Sequence, residues 1–504
     1  MSTVVVIGAG LAGLATACHL SGSGHEVVLI ERESIPGGRG GRIHDQGYTF
    51  DTGPTVLTMR GLIDDVVRAA GGDLDSLLPM RLLDPGYRAK YADGSEILVR
   101  HGHENMREEI RQKCGPRDAA AFDDFTVWLR KLYEVEMPHF IDANFDTPLD
   151  LMASPSAAAR LLGLGGFGRL GKNVARRFED DRLRRLFTFQ AMYAGLPPSS
   201  ALALYAVITY MDCIEGVWFP EGGMGAVPVA LAKAASDAGV DIRYDATVSR
   251  LLRRTDGAVA GVEIDGGERI TADAVVCTLD LPVAYRHLLP DLKAPRVVRK
   301  GQYSPSAVVW HVGTRGELPA GTHHHNIHFA DAWDSSFDAL IKQGRMMPDP
   351  SRLVTVPTMT DPSLAPEGGH VLYVLEPAPN LDGVVDWRTQ RSRSRDDLQR
   401  FLETEGYPSE VIAEEFVDPT DWERQGMERG TPFALAHTFL QTGPFRPKNV
   451  EKRVPGLFFA GSGTTPGVGV PMVLVSGRLA AERVVAHLPA TGASRRHQRT
   501  GAVA

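Results

Sequence analysis

Val4-Val5-Val6-Ile7-Gly8-Ala9-Gly10-Leu11-Ala12-Gly13 is the stretch on which the fold turns. The β-branched run at its start reads as a short, fully buried strand. Leu14-Ala15-Thr16-Ala17-Cys18-His19-Leu20 continues with apolar residues at helical spacing, and Gly22 and Gly24 stop that helix. His25-Glu26-Val27-Val28-Leu29-Ile30 is a second buried strand, ending at Glu31. In such a unit Gly8 permits the tight turn, Gly10 lets a pyrophosphate approach the backbone, and Gly13 lets the helix pack close to the sheet. The free N–H groups and positive dipole end of the helix face the phosphates. Glu31 stands about 20 residues on, where a carboxylate accepts hydrogen bonds from ribose hydroxyls and repels a 2′-phosphate. Gly8, Ala9, Gly10, Leu11, Ala12, Gly13 and Glu31 are thus candidate contacts to a dinucleotide other than NADP.

The residues after Glu31 separate FAD from NAD. Ile35-Pro36-Gly37-Gly38-Arg39-Gly40-Gly41-Arg42 is a second glycine-rich, cationic loop, and Phe50-Asp51-Thr52-Gly53-Pro54-Thr55 comes next. A domain for NAD has no common use for a second phosphate-facing loop here, whereas the longer FAD does. Arg32, Gly38, Arg39, Gly53, Pro54 and Thr55 join the candidate set, with Arg39 expected to bring charge to the pyrophosphate or flavin side. At the far end, Gly456-Leu457-Phe458-Phe459-Ala460-Gly461 reads as a strand entering a glycine-rich turn through Pro471-Met472, and a helix comes after it. Such glycine density means close backbone approach, so Gly461, Val470, Pro471 and Met472 are expected beside the ribityl phosphate and flavin ring. In the middle, Gly222-Gly223-Met224-Gly225-Ala226 precedes a helix. Beyond it are short strands at 240–244, 246–253, 259–264 and 274–278, read as a β-meander whose backbone near Val248 reaches the adenine.

Composition narrows the class. A chain of 504 residues predicts two or three lobes. A net charge of −8 does not suit a nucleic-acid protein. Cys18, Cys114, Cys213 and Cys277 are scattered, as free thiols in a reducing cytoplasm would be. His323-His324-His325 and His328 have no neighbouring acid or cysteine to complete a usual ligand set, so no metal is expected. The opening Met1-Ser2-Thr3 lacks the basic stretch of a secretory leader. No run approaches ~20 uninterrupted apolar residues, so no membrane-spanning helix is expected. Leu151 to Leu170, rich in Ala, Leu and Gly and flanked by Arg160, Arg169, Lys172, Arg176 and Arg177, suits either an interfacial helix or a domain surface. Ala201 to Met211 is expected to be tunnel wall or core.

Together these segments resemble the bacterial phytoene desaturase family of flavoproteins, within the wider amine-oxidase-like superfamily. The more specific matches are Gly216-Val217-Trp218-Phe219-Pro220-Glu221-Gly222-Gly223-Met224, Ala272 to Val276, Asp280-Leu281-Pro282, Gln441 to Pro447 and Gly456 to Pro471. The resemblance implies an α/β fold with a Rossmann-like FAD domain of the p-hydroxybenzoate hydroxylase type, a substrate domain and a helical, membrane-associated part. We divide the chain into a discontinuous FAD domain (1–100, 216–285, 445–490), a substrate domain (286–444), a helical part (101–215) and a disordered tail (491–504). The implied activity is desaturation of phytoene to lycopene, neurosporene or zeta-carotene. The implied location is peripheral, on the cytoplasmic side of the membrane, with quinone or oxygen as final electron acceptor. An unactivated hydrocarbon offers nothing to polarise, so the flavin carries the chemistry. Asp150 is the candidate acid–base carboxylate, with helix capping as its other role. A carotenoid isomerase, ketolase or later-step desaturase shares the motifs. Some amine oxidases hold flavin through a C-terminal cysteine, but none comes after Cys277, which excludes that subtype. A non-catalytic lipid carrier of the same fold, as in the GDP-dissociation inhibitors of prenylated GTPases, is opposed by the intact glycine loops.

Overall fold

Thr3–Ile7 is the central strand of a five-stranded parallel sheet. The order is Leu457–Phe459, Ala274–Cys277, Thr3–Ile7, Glu26–Ile30, Asp241–Arg243. Val4, Val5 and Val6 are wholly buried because helices cover one face and a small antiparallel sheet with helix Leu281–His287 covers the other, which is why the strand reads as an unbroken apolar run. Helix Leu11–Gly22 leaves the central strand and packs against the last helix, Val470–His487, and against Ala226–Asp237. The sheet thus takes strands from the beginning, middle and end of the chain. The computed structural model describes residues 1–488, apart from the side chains of Met152 and Ala153. The expected tail from Gly492 to Ala504 lies outside the described residues.

The expected β-meander is smaller than the sequence suggested. Only Val248–Arg253, Val259–Ile264 and Arg269–Thr271 form an antiparallel sheet. Asp241–Arg243 and Ala274–Cys277 belong to the parallel sheet instead. Pairing partners far along the chain made that choice, and period-2 patterning cannot report them.

A seven-stranded sheet forms the second layer. Its order is Ala413–Val417, Ser306–Arg315, Gly369–Ala378, Arg352–Thr355, His325–Phe329, Tyr87–Tyr91, Glu96–Val99. The last two strands lie within 1–100, the stretch assigned to the cofactor domain. They join this sheet because Tyr87–Tyr91 pairs in parallel with His325–Phe329. Along Ser306–Arg315 the faces alternate. Val308, Trp310 and Val312 pack on Leu398 and Leu402 of helix Trp387–Glu405. Ala307 and Val309 pack with Tyr373 on the other side, where His311 meets the Tyr373 ring edge-on at 5.2 Å.

The helical part is anchored by Pro116–Glu136, whose Phe122, Phe125, Trp128, Leu129 and Leu132 are buried with Phe178 and Phe187. The stretch from Leu151 to Leu170 is not one amphipathic helix. It is the end of a 3₁₀ turn, Pro148–Ala153, then helix Pro155–Gly163 and a glycine-rich connection. Pro155 can only start a helix, and Gly163, Gly165, Gly166 and Gly168 do not sustain one. Among the described residues, no helix is long and apolar enough to cross a membrane.

Candidate flavin site and the enclosed cavity

The three glycines of the first loop are required for different reasons. A Cβ on Gly13 would lie 1.9 Å from the Gly8 carbonyl oxygen, and one on Gly8, at φ +102°, would lie 2.4 Å from Thr278 Oγ1. Both are therefore fixed by the protein's own packing. A Cβ on Gly10 would meet nothing closer than 3.9 Å. The protein leaves this surface bare, next to a helix N-terminus with no side-chain cap and no acid in its first turn. That is a cradle which a side chain would fill and an anionic group fits. Leu11 and Ala12 form the first turn of this helix. Glu31 is buried beside it; one oxygen accepts from Ala9 N–H at 2.6 Å and the other from Glu33 N–H at 3.0 Å. Each oxygen keeps a free lone pair for a ribose hydroxyl. Arg32 turns away, to Glu33 and the Gln425 carbonyl.

The second loop lies against the first. Gly37 N–H donates to the Ala9 carbonyl at 3.0 Å, and a Cβ on Gly38 would reach the Gly10 Cα at 3.2 Å. Arg39 does not extend as a free cation. It pairs with Asp280 at 2.5 Å and donates to Ser462 Oγ, joining three distant segments at one point. Gly53 is a packing glycine, since a Cβ there would sit 1.8 Å from the Arg39 carbonyl oxygen. Pro54 and Thr55 continue that turn, and the Thr55 carbonyl lies 3.0 Å from His325 Nε2. Val248 opens its strand close to the acid, where Ala246 N–H donates to the Glu31 carbonyl at 2.9 Å. Val470, Pro471 and Met472 form the first turn of the last helix, again without a side-chain cap or a first-turn acid, and a Cβ on Gly461 would lie 3.9 Å from that of Ala12.

Two motifs turn out to support each other. Asp51 accepts from Met224 N–H at 2.6 Å and Gly225 N–H at 2.8 Å, and stands 3.6 Å from Arg42 Nε. A Cβ on Gly223 would lie 2.5 Å from Asp51 Oδ2. Burial still pushes the Asp51 carboxyl above its usual range. The glycines at 222–225 therefore receive a carboxylate of the chain itself. Arg446, from the Phe-Arg-Pro segment, is fully buried and donates to the carbonyls of Thr464 (3.0 Å), Ser462 (2.7 Å), Gln441 (3.2 Å) and Leu435 (3.3 Å). It rivets the C-terminal glycine loop to the chain before it. Burial lowers its pKa to about 10. Reading the sequence assigned Arg446 no role, because nothing in it reports that the side chain is buried.

Asp150 is a helix cap. Its Oδ2 accepts from Asp146 N–H (2.5 Å) and Thr147 N–H (2.8 Å), and its Oδ1 from Thr147 Oγ1 (3.0 Å). These bonds hold its carboxyl below the usual range. A base works best with a pKa near the working pH, so this geometry favours the capping role of Asp150 over its catalytic one. The histidines diverge: His324 meets Thr360 Oγ1 at 2.7 Å, His325 lies between the Gly86 and Thr55 carbonyls, and His328 meets Glu405 and Tyr407. Burial pushes the thiols of Cys18 and Cys277 up to about 12.

The unpartnered polar groups gather elsewhere. Asp212 Oδ1, Tyr87 OH and both amide atoms of Gln190 are buried with no hydrogen-bond partner. Tyr193, on the same turn as Gln190, leaves 38 % of its surface accessible. Neither Asp212 nor this cluster carried a sequence signal.

These features define a dinucleotide-binding flavoprotein. A model of the family described as flavin containing amine oxidoreductase matches residues 11–485, and the chain belongs to that family. It is 50 % identical to a phytoene dehydrogenase of Streptomyces griseus, over 95 % of this chain and 94 % of that one. It is 37 % identical to a zeta-carotene-forming phytoene desaturase of Myxococcus xanthus, over 97 % and 95 %. The crystal structure of an oxidoreductase from Methanosarcina mazei shares the fold, with a TM-score of 0.64 at 19 % identity, covering 95 % of this chain and all of that one.

Proposed function

We propose that the protein is an FAD-dependent phytoene desaturase that lengthens the conjugated system of a C40 polyene. The observation that carries this reading is the 50 % identity to a phytoene dehydrogenase along 95 % of the chain, with the bare Gly10 cradle intact. Gly8 to Gly13 and Glu31 hold the ADP half; Gly38, Arg39, Gly53 to Thr55, Gly461 and Val470 to Met472 hold the flavin half. Val248 lies at the adenine. Bound FAD supplies the two-electron acceptor for the hydride. The chain's own residues orient the polyene, exclude water and receive the proton. The final electron acceptor is a quinone or oxygen.

The parallel sheet and its coverings form the FAD domain, and the seven-stranded sheet with the helical part encloses the substrate. The protein works on the cytoplasmic surface of the membrane that stores the hydrocarbon. Leu149, Leu162, Phe167, Phe439 and Leu440 are large apolar side chains left exposed. Phe167 meets Phe439 edge-on at 6.3 Å, and Phe439 leans on Phe445 at 6.0 Å. Arg160 and Lys172 lie on the same stretch of chain and suit anionic headgroups.

The test supplies FAD-loaded protein with phytoene in liposomes. The expected result is a set of red-shifted absorption bands that grow with time. Colourless phytoene, with new bands appearing only from an already coloured carotenoid, would overturn the reading in favour of a later-step enzyme. Phe439→Ser with Leu440→Ser should lower co-sedimentation with liposomes while leaving the flavin spectrum unchanged.

A further inference from the structure

The reaction proposed above removes a hydride and a proton from adjacent carbons, and the proton needs an acceptor. Asp150 is committed to capping. Asp212 is not. It lies in helix Val207–Cys213, 4 % exposed, with Oδ1 unpartnered. Val207 and Met211 of this helix pack in a cluster with Met59, and Met472 of the C-terminal loop packs against it. Tyr87, Gln190 and Tyr193 stand around Asp212 from two other elements, strand Tyr87–Tyr91 and turn Phe189–Ala194. Tyr87 packs on His325 at 5.4 Å, and His325 reaches the Thr55 carbonyl. The helix that carries the acid thus packs on Met472, and a chain of contacts through Tyr87 and His325 ends at Thr55.

We propose that Asp212 is the base of the desaturation, receiving the proton at Oδ1 from a polyene held against the accessible face of Tyr193. The proposal rests on the desaturase reading. Bound FAD would accept the hydride released when the allylic C–H bond breaks with its electron pair. The resulting allylic cation sits on the substrate. The neighbouring C–H bond then breaks, its electron pair becomes the new C=C bond, and the proton goes to Asp212. The carboxylate is restored by loss of that proton to water between turnovers.

The surroundings suit this role. The titratable groups facing Asp212 are Tyr87, Tyr193 and Cys213, and burial raises all three, so they are uncharged at neutral pH. Among the described residues no cation pairs with the carboxylate. Burial lifts its pKa to about 7, and side-chain contacts from Gln190 and Cys213 offset this in part. A buried carboxylate with no cation beside it is a stronger base than a solvated one and a counter-charge for a nearby cation.

The experiment uses FAD-loaded protein and phytoene liposomes. Asp212→Asn is expected to lower kcat by ~100-fold or more with KM and flavin spectrum unchanged. The wild-type rate should fall below a pKa near 7, and this acid limb should disappear from the residual rate of the variant. A carboxyl C=O infrared band that bleaches as pH rises through about 7 should be present in wild-type protein and absent from Asp212→Asn. Turnover within about twofold of wild type, or a surviving acid limb, overturns the assignment of the base alone. Wild-type protein that leaves phytoene uncoloured overturns the desaturase reading beneath it. If Asp212→Asn does not hold flavin, Gln190→Met leaves the carboxylate in place and removes a side chain that lowers its pKa. It should move the acid limb to higher pH, and an unmoved limb overturns the proposal.

Discussion

Carboxylates are treated differently at the flavin cradle and in the Asp212 cluster. Around the glycine loop the carboxylates are partnered: Glu31 accepts from Ala9 and Glu33, Asp51 from Met224 and Gly225, and Thr278 Oγ1 donates to the Ile7 carbonyl at 2.7 Å. Around Asp212 a carboxylate oxygen, a phenol and a whole amide lack partners. A buried polar group left unpaired costs stability, so an accumulation of them asks for an explanation in function. The cradle is built as structure first and takes its ligand on a bare surface. The Asp212 cluster keeps buried groups unsatisfied, the condition of a site that meets its partner only during turnover.

The sharpest way to break this contrast lies inside the cradle. Gly13→Ala drives a Cβ into the Gly8 carbonyl, main chain against main chain, and should cost on the order of 3 kcal/mol of stability. Gly10→Ala has room, so the flavin-free protein should melt as wild type does while flavin binding falls steeply. Equal loss of stability in both variants would mean that Gly10 serves packing too. Arg446→Met comes next. It strands four buried carbonyls and should destabilise by roughly 3 kcal/mol, read by chemical denaturation.

Asp212→Asn should act in the opposite direction. The folded pKa of about 7 lies above the ordinary 3.8, so the folded state holds an extra proton between those values. Wild-type stability then falls as pH rises through this window and levels off above about 7. The variant lacks that loss, and its advantage in melting temperature should be larger at pH 8 than at pH 5. Constant advantage across this range would place the acid in a solvated setting. The smallest effect is expected from Asp150→Asn. It should retain turnover and flavin, with a melting temperature only slightly lower, because it weakens one cap.

Much of the cradle was legible because its constraints are local. Gly8 to Gly13 are consecutive, and Glu31 ends the next strand, so one βαβ unit carries the signal. Arg39 and Asp150 were read half correctly. Each is a charged residue at a motif, but its partners were not part of that motif: Asp280 and Ser462 for Arg39, and Asp146 and Thr147 in a local turn for Asp150. The long helix expected over Leu151 to Leu170 failed for a local reason that was visible, since Pro155 and four glycines interrupt it. The hairpin Tyr87–Val99 was misplaced for a remote one, its parallel pairing with His325–Phe329.

By itself the sequence determined the cofactor class, the parallel βαβ entry and the joining of the chain's two ends at one site. These depend on backbone conformation and close approach, which glycine, β-branched runs and a strand-end acid report directly. Tertiary structure alone decided which glycines serve packing and which serve the ligand, and where Arg446 is buried. It also decided which carboxylate is free to act. A capped Asp150 and an unpartnered Asp212 look alike in a sequence, because the difference lies in burial and in partners from distant strands and helices.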